Sequence, residues 1–181
     1  MTVQDEVRPR YRKCFWEKDY SKEMPQGRDL AALRRGLGRE AGDVPEMWPY
    51  YTRLHPEGRL TRELHAEHAA LVLFALHQQS QSILMHGADI GLGTAMARLR
   101  ISGKVTAEAV DRRFAAAATA TSFAEVTLHL RGLVTQLRGI RQPLDYTRLM
   151  RDLRDWQDND RIATVRRRWG SQYFTLSADQ K

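Results

Sequence analysis

The chain has 181 residues, 42% of them apolar, one cysteine and a net charge of +7. That is enough apolar material for a packed core, which excludes a disordered polycation; a lone Cys14 excludes an internal disulfide and points to a reducing cytoplasm. The longest apolar run, Ala69 to Leu76, is far short of the ~20 residues of a membrane span, and Met1 to Lys13 is charged where a secretory signal would be apolar.

Strand signals are nearly absent, and the abundant Ala, Leu, Arg, Gln and Glu favour helices. The pattern predicts a first helix over Tyr11 to Lys22, stopped before Pro25. A second runs from Gly27 to Arg35 with Gly36 as its C-cap. Arg39 to Leu54, interrupted by Gly42, Pro45 and Pro49, predicts only a short turn or two of helix, and His55-Pro56-Glu57-Gly58 a turn. Thr61 opens a long helix to Ser80, with Glu63 and Glu67 near its positive end. Its Leu64, Leu71, Leu73, Phe74 and Leu76 are apolar on more than one side, so it is expected to be central. After a loop from Gly87 to Gly93, Leu92, Ala95, Met96 and Leu99 predict a helix ending near Gly103. Thr106 caps the next, Ala107 to Ala118, with Val110 and Phe114 inward.

Ser122 to Ile140 carries the clearest pattern. Phe123, Val126, Leu130, Leu133, Val134, Leu137 and Ile140 recur at helical spacing, and Ser122 with Glu125 reads as a capping box. Gln142-Pro143 breaks this helix. Asp145 caps another to Gln157, with Tyr146, Leu149, Met150, Leu153 and Trp156 on one stripe. A last helix, Asp160 to Tyr173, buries Ile162, Val165 and Trp169. The fold class is all-α: a bundle of about seven to nine helices with short connections, in one domain over residues 1–181. A composition shift near residue 88 would mark a division into a pair of packed lobes.

The charge is one-sided. Residues 1–97 hold 13 basic and 13 acidic residues, whereas residues 98–168 hold 14 arginines and one lysine against 8 acids. Arginine outnumbers lysine 24 to 5. Its planar fork suits phosphate oxygens and stacks on bases, so the field points to nucleic acid ahead of an acidic protein partner or plain solubility. On the Asp145 helix, Arg148 with Asp152, Arg151 with Asp155 and Arg154 with Asp158 are spaced to pair, so that helix reads as structural. Arg112 has Glu108 one turn back. Arg98, Arg100 and Arg113 have no local acid. Arg131 and Arg138 lie only about 20° apart around the Ser122 helix. Thr135 stands between them, Arg141 continues the edge, and no acid follows Glu125: an unpaired basic stripe that suits a phosphate track. Arg166, Arg167 and Arg168 suit the negative end of the last helix as well as they suit a ligand. Trp169, Tyr173 and Phe174 could stack on bases, although their helical spacing suits the core.

Enzyme signals are weak. His65 and His68 are three apart, but no HExxH motif or acidic set completes a metal site. Gly91-Leu92-Gly93 opens a helix without the preceding strand of a dinucleotide fold; its alternatives are a plain helix start or a phosphate-facing one. Cys14 has no neighbouring histidine in sequence, so a nucleophile role is not expected. No catalytic residue, cofactor or metal is predicted.

Several segments together resemble the CasB family, the small subunit of the type I-E CRISPR surveillance complex called Cascade. They are Leu33-Arg34-Arg35-Gly36, Trp48-Pro49-Tyr50, Ala66-Glu67-His68-Ala69 through Phe74-Ala75-Leu76-His77-Gln78, and Gly91-Leu92-Gly93 leading to Leu99-Arg100. Asp111-Arg112-Arg113-Phe114, His129-Leu130-Arg131-Gly132-Leu133-Val134, Pro143-Leu144-Asp145-Tyr146 and Val165-Arg166-Arg167-Arg168-Trp169-Gly170 follow in family order. The segment to about Glu23 and the loop from Asp43 to Arg53 match less, and no role is carried onto them. The resemblance implies a non-catalytic, all-helical subunit of an RNA-guided antiviral complex. Its partners would be guide RNA, single-stranded or unwound DNA, the backbone and large subunits, and a second copy of itself. Sequence is then read by base pairing, so such a subunit needs charge and shape and no base code. Family basic positions fall on Arg34, Arg35, Arg112, Arg113, Arg131 and Arg141; Arg138 is added from helix geometry, and Arg98 and Arg100 from their lack of local acids.

Three alternatives stay open: a helical scaffold whose arginines dock acidic protein partners, a helix-turn-helix regulator built on Thr106 to Arg138, and an enzyme. The long apolar stripe on the second helix of that pair, with no tight glycine turn before it, argues against the regulator.

Overall fold

Four helices begin where a side chain takes a free backbone N–H. Thr61 accepts from Leu64, Thr106 from Ala109, Ser122 from Glu125 and Asp145 from Arg148. The computed structural model describes residues 12–178. They contain α1 (Gly27–Arg34), α2 (Arg62–Gln78), α3 (Leu92–Ile101), α4 (Ala107–Thr119), α5 (Phe123–Gly139), α6 (Tyr146–Trp156) and α7 (Ile162–Ala178). Two 3-10 turns, Phe15–Glu17 and Pro45–Tyr50, precede and follow α1. No strand occurs among the described residues, as the all-α expectation required; His86 and Leu144 form one isolated bridge.

Because α2 is apolar on several sides, it is buried along most of its length and packs against α1, α5 and α6. Its Phe74 is fully buried against Phe15, Trp16 and Tyr146. The second centre is the crossing of α3 and α7, with α4 laid on both and on α5. Gly93 permits that crossing: a Cβ there would run into the Trp169 carbonyl and lie 2.7 Å from Gln172 Cβ. Buried residues before and after residue 88, such as Leu33 and Phe74, Leu99 and Trp169, belong to one continuous cluster.

Two local expectations are corrected. The first helix, of which Tyr11 lies outside the described residues, is only the Phe15–Glu17 turn. Phe15 and Trp16 are both buried, and the turn stops at Lys18, whose backbone is extended with ψ of 160°. Gly36 is not a left-handed cap; that conformation belongs to Gly38, with φ of +71°. Gly36 instead lies so close to Met47, His68 and Val72 that a Cβ would clash, reaching 2.8 Å from His68 Cε1. At Ser122 the hydroxyl accepts from Glu125 N–H at 3.1 Å as a capping box requires, and the Glu125 carboxylate also accepts from Thr121 N–H at 2.7 Å and its hydroxyl at 2.9 Å.

Candidate nucleic-acid interface

The nine nominated arginines fall into three groups. Arg34, Arg98, Arg112, Arg113 and Arg131 make no side-chain hydrogen bond or ion pair among the described residues, and all but half-buried Arg34 are exposed. Arg138 and Arg141 are tied to neutral acceptors. Arg138 donates to the Leu76 carbonyl at 2.9 Å, capping the end of α2, and Arg141 donates to Ser82 Oγ at 2.8 Å. Their charge remains uncompensated, but their forks are engaged.

Arg35 and Arg100 are neutralised. Arg35 pairs with Glu46, and Arg100 Nε lies 2.9 Å from Asp111 Oδ1. Tyr173 donates to the same carboxylate, which Tyr173 and Arg100 hold below its usual range against the opposing effect of burial. Arg100 therefore locks α3 to α4 and α7, contrary to its lack of a local acid in sequence; Asp111 is eleven residues away on another helix. The predicted track along α5 is accordingly interrupted. Arg131 stands bare, Thr135 donates its hydroxyl back to the Arg131 carbonyl at 2.9 Å, and Arg138 turns to α2.

Three of the five unbonded arginines, Arg112, Arg113 and Arg131, lie on the α4–α5 hairpin. The short 120–122 connection makes the two helices antiparallel neighbours. Arg112 and Arg113 precede it by about as many residues as Arg131 follows it, which at 1.5 Å per residue sets them at roughly the same level. Arg131 also rims a groove of about 570 Å³ between the 36–41 turn, α2 and α5, opposite Arg39, with Leu128 on the same wall. Leu128 is 65% exposed.

The acids of α6 are paired, but not as spaced. Asp155 takes Arg154 at 2.7 Å and Arg161 at 3.4 Å, Asp158 takes Arg62 at 3.1 Å, and buried Asp152 takes Arg168 and the Trp169 indole N–H. Arg151 is left without a side-chain bond, a consequence that helical spacing hid, whereas Arg148 makes no hydrogen bond but its charge acts on Asp152, the partner its spacing gave. Arg166 reaches the Ala120 carbonyl at 2.7 Å and lies over the Trp156 ring at 5.2 Å. Trp169 and Tyr173 are core residues, and Phe174 is 68% exposed.

The histidine pair faces protein groups. His68 donates from Nε2 to the Gly36 carbonyl at 3.0 Å, so its Nδ1 accepts from Tyr51 at 2.7 Å, while His65 meets Gln157 and Glu40. No cluster of three metal-ligating side chains exists among the described residues. Burial pushes the Cys14 thiol up to about 12, which removes the thiolate a nucleophile needs. A Cβ at Gly91 would lie 2.5 Å from Gln172 Oε1, so the start of α3 is covered by α7 rather than offered to a phosphate. Among the described residues no helix is long and apolar enough to cross a membrane.

Comparison with known proteins agrees with this architecture. No curated protein matches the chain. Among solved structures, CasB from Thermobifida fusca is 31% identical, over 80% of this chain and 82% of that one, with a TM-score of 0.65. A CRISPR-associated protein of the Cse2 family from Thermus thermophilus is 25% identical, over 81% and 85%, with a TM-score of 0.63. A chain of a CRISPR RNA-guided surveillance complex shares the fold, with a TM-score of 0.65 and 24% identity over 86% of each chain. The family model for CRISPR-associated protein Cse2 matches residues 29–174, most of the chain, which therefore belongs to the Cse2 family.

Proposed function

We propose that this chain is a non-catalytic small subunit of a type I-E Cascade complex, working in the cytoplasm beside backbone and large subunits and a second copy of itself. It helps to line the guide RNA and target path and to hold opened target DNA during R-loop formation in antiviral defence. Sequence-independent arginine–phosphate contacts carry the binding. The supporting observation is the uncompensated set Arg112, Arg113 and Arg131 on the α4–α5 hairpin, in a family whose relatives include a chain of an RNA-guided surveillance complex.

The test is a salt series. The parent retards single-stranded DNA of any sequence, with log affinity falling linearly in log salt by about 0.7 per phosphate contacted. R112E/R113E/R131E weakens retardation at least about tenfold while its helical circular dichroism is unchanged, because all three side chains are exposed. Equal binding by parent and triple variant overturns the assignment. A second reading, a scaffold that docks acidic protein partners, draws on exposed Leu128 beside Arg131. It predicts no retardation of any oligonucleotide and stable co-purification with a protein.

A further inference from the structure

A basic notch opens between α2 and α6, away from the α5 groove. Its floor is Ala66, Thr147 and Met150; Arg53, Arg151 and Arg154 wall it, and Glu63 stands at the rim. Around α2, positions 63 and 66 lie roughly 140° from positions 65, 68, 69 and 72, which line the groove. The notch encloses about 100 Å³. That space admits several waters or a small oxyanion such as one phosphate group.

Arg151 stands unneutralised in it, and Arg53 makes no side-chain hydrogen bond. Glu67, fully buried, accepts from Thr52 N–H at 2.8 Å, Thr52 Oγ1 at 2.5 Å and Arg53 N–H at 2.9 Å. A buried carboxylate thus fixes the backbone of an otherwise irregular loop and delivers Arg53 to the notch, its guanidinium without a hydrogen bond but close enough for its charge to act on Glu67. Arg151 is bare because Arg154 and Arg161 have taken the Asp155 that its spacing promised. Thr147 is fixed beneath it by Trp16 and Glu17, at 3.0 and 2.6 Å. Two forks that make no hydrogen bond, both lining one small hollow, can seat an oxyanion.

We infer that this notch seats one phosphodiester of a nucleic-acid strand that crosses the protein on the α6 side, separately from contacts on the α4–α5 hairpin. The identity of the anion rests on the nucleic-acid reading above; the site itself does not depend on Arg112, Arg113 or Arg131.

The experiment is fluorescence anisotropy of the full chain with a labelled single-stranded DNA 20-mer between 50 and 200 mM salt. R53Q/R151Q should weaken binding and make the salt slope shallower by about 0.7, the value for one phosphate of a single strand. E63Q should tighten binding, because it removes the notch's own competing anion; a merely structural role for these residues predicts no such opposite sign. R53K/R151K, which keeps the charge, should retain most of the affinity and serves if the glutamine variant folds poorly. If the parent binds while R53Q/R151Q and E63Q leave affinity and slope unchanged, the notch assignment falls and the hairpin reading stands. If the parent binds no oligonucleotide, both fall.

Discussion

At the scale of single residues, buried polar groups join segments far apart in sequence. Asp152, 2% exposed, receives Arg168 and the Trp169 indole, so D152A leaves a guanidinium and an indole N–H without partners. A loss of about 3 kcal/mol is expected in urea unfolding, more than for D152N, which can still accept. His77 provides a pH test. Burial lowers it to about 4, so it stays neutral in the fold while the unfolded chain takes a proton below about 6.5. Stability is therefore full above pH 6.5 and falls as the pH drops, by about 2 kcal/mol at pH 5 relative to pH 7.5. His68 and His86, lowered by the same cause, act in the same direction. Urea midpoints across this range should decline, and H77N, which does not titrate, should flatten the decline.

Sequence reasoning is weakest at this same scale. It names which arginines lack a nearby acid on their own helix, yet Arg100 meets Asp111 across a helix crossing and Arg35 meets Glu46 across a turn. Conversely Arg151 loses its spaced partner to Arg154 and Arg161. Ion pairing is decided by tertiary neighbours, and periodicity carries no record of them. The signal that could have exposed the notch was competition: Asp155 has Arg151, Arg154 and Arg161 within six positions.

At the scale of elements, the helices were largely legible, because four of the seven among the described residues open on a side-chain cap and most carry an apolar stripe of the right period. Thr106, Ser122 and Asp145 mark starts that the structure reproduces. Failure came where the hydrophobic residues were adjacent rather than spaced, at Phe15-Trp16. The α3–α7 crossing depends on the missing side chain of Gly93. G93A forces the Trp169 backbone away and should cost about 1–3 kcal/mol, seen as a fall in Tm of several degrees without loss of helix content at 20 °C. G132A, on an open face of α5 where a Cβ meets nothing, should be neutral or slightly stabilising.

For the molecule as a whole, the net charge of +7 is spread less simply than residue counts suggest. Between Arg98 and Arg168 the fold consumes Arg100, Arg154, Arg161 and Arg168 in ion pairs, sets Arg148 near Asp152, and leaves Arg98, Arg112, Arg113, Arg131 and Arg151 bare. Bare arginines thus stand on the α4–α5 hairpin and beside α6, which is the arrangement a body lying between strands would need. Trp156 and Trp169 stack at 5.0 Å with planes 25° apart, whereas Trp48 is 52% exposed. The two stacked indoles should couple their electronic transitions into a paired near-ultraviolet dichroic band. Its disappearance would report the undocking of α7, while iodide quenching of emission from Trp48 goes on unchanged.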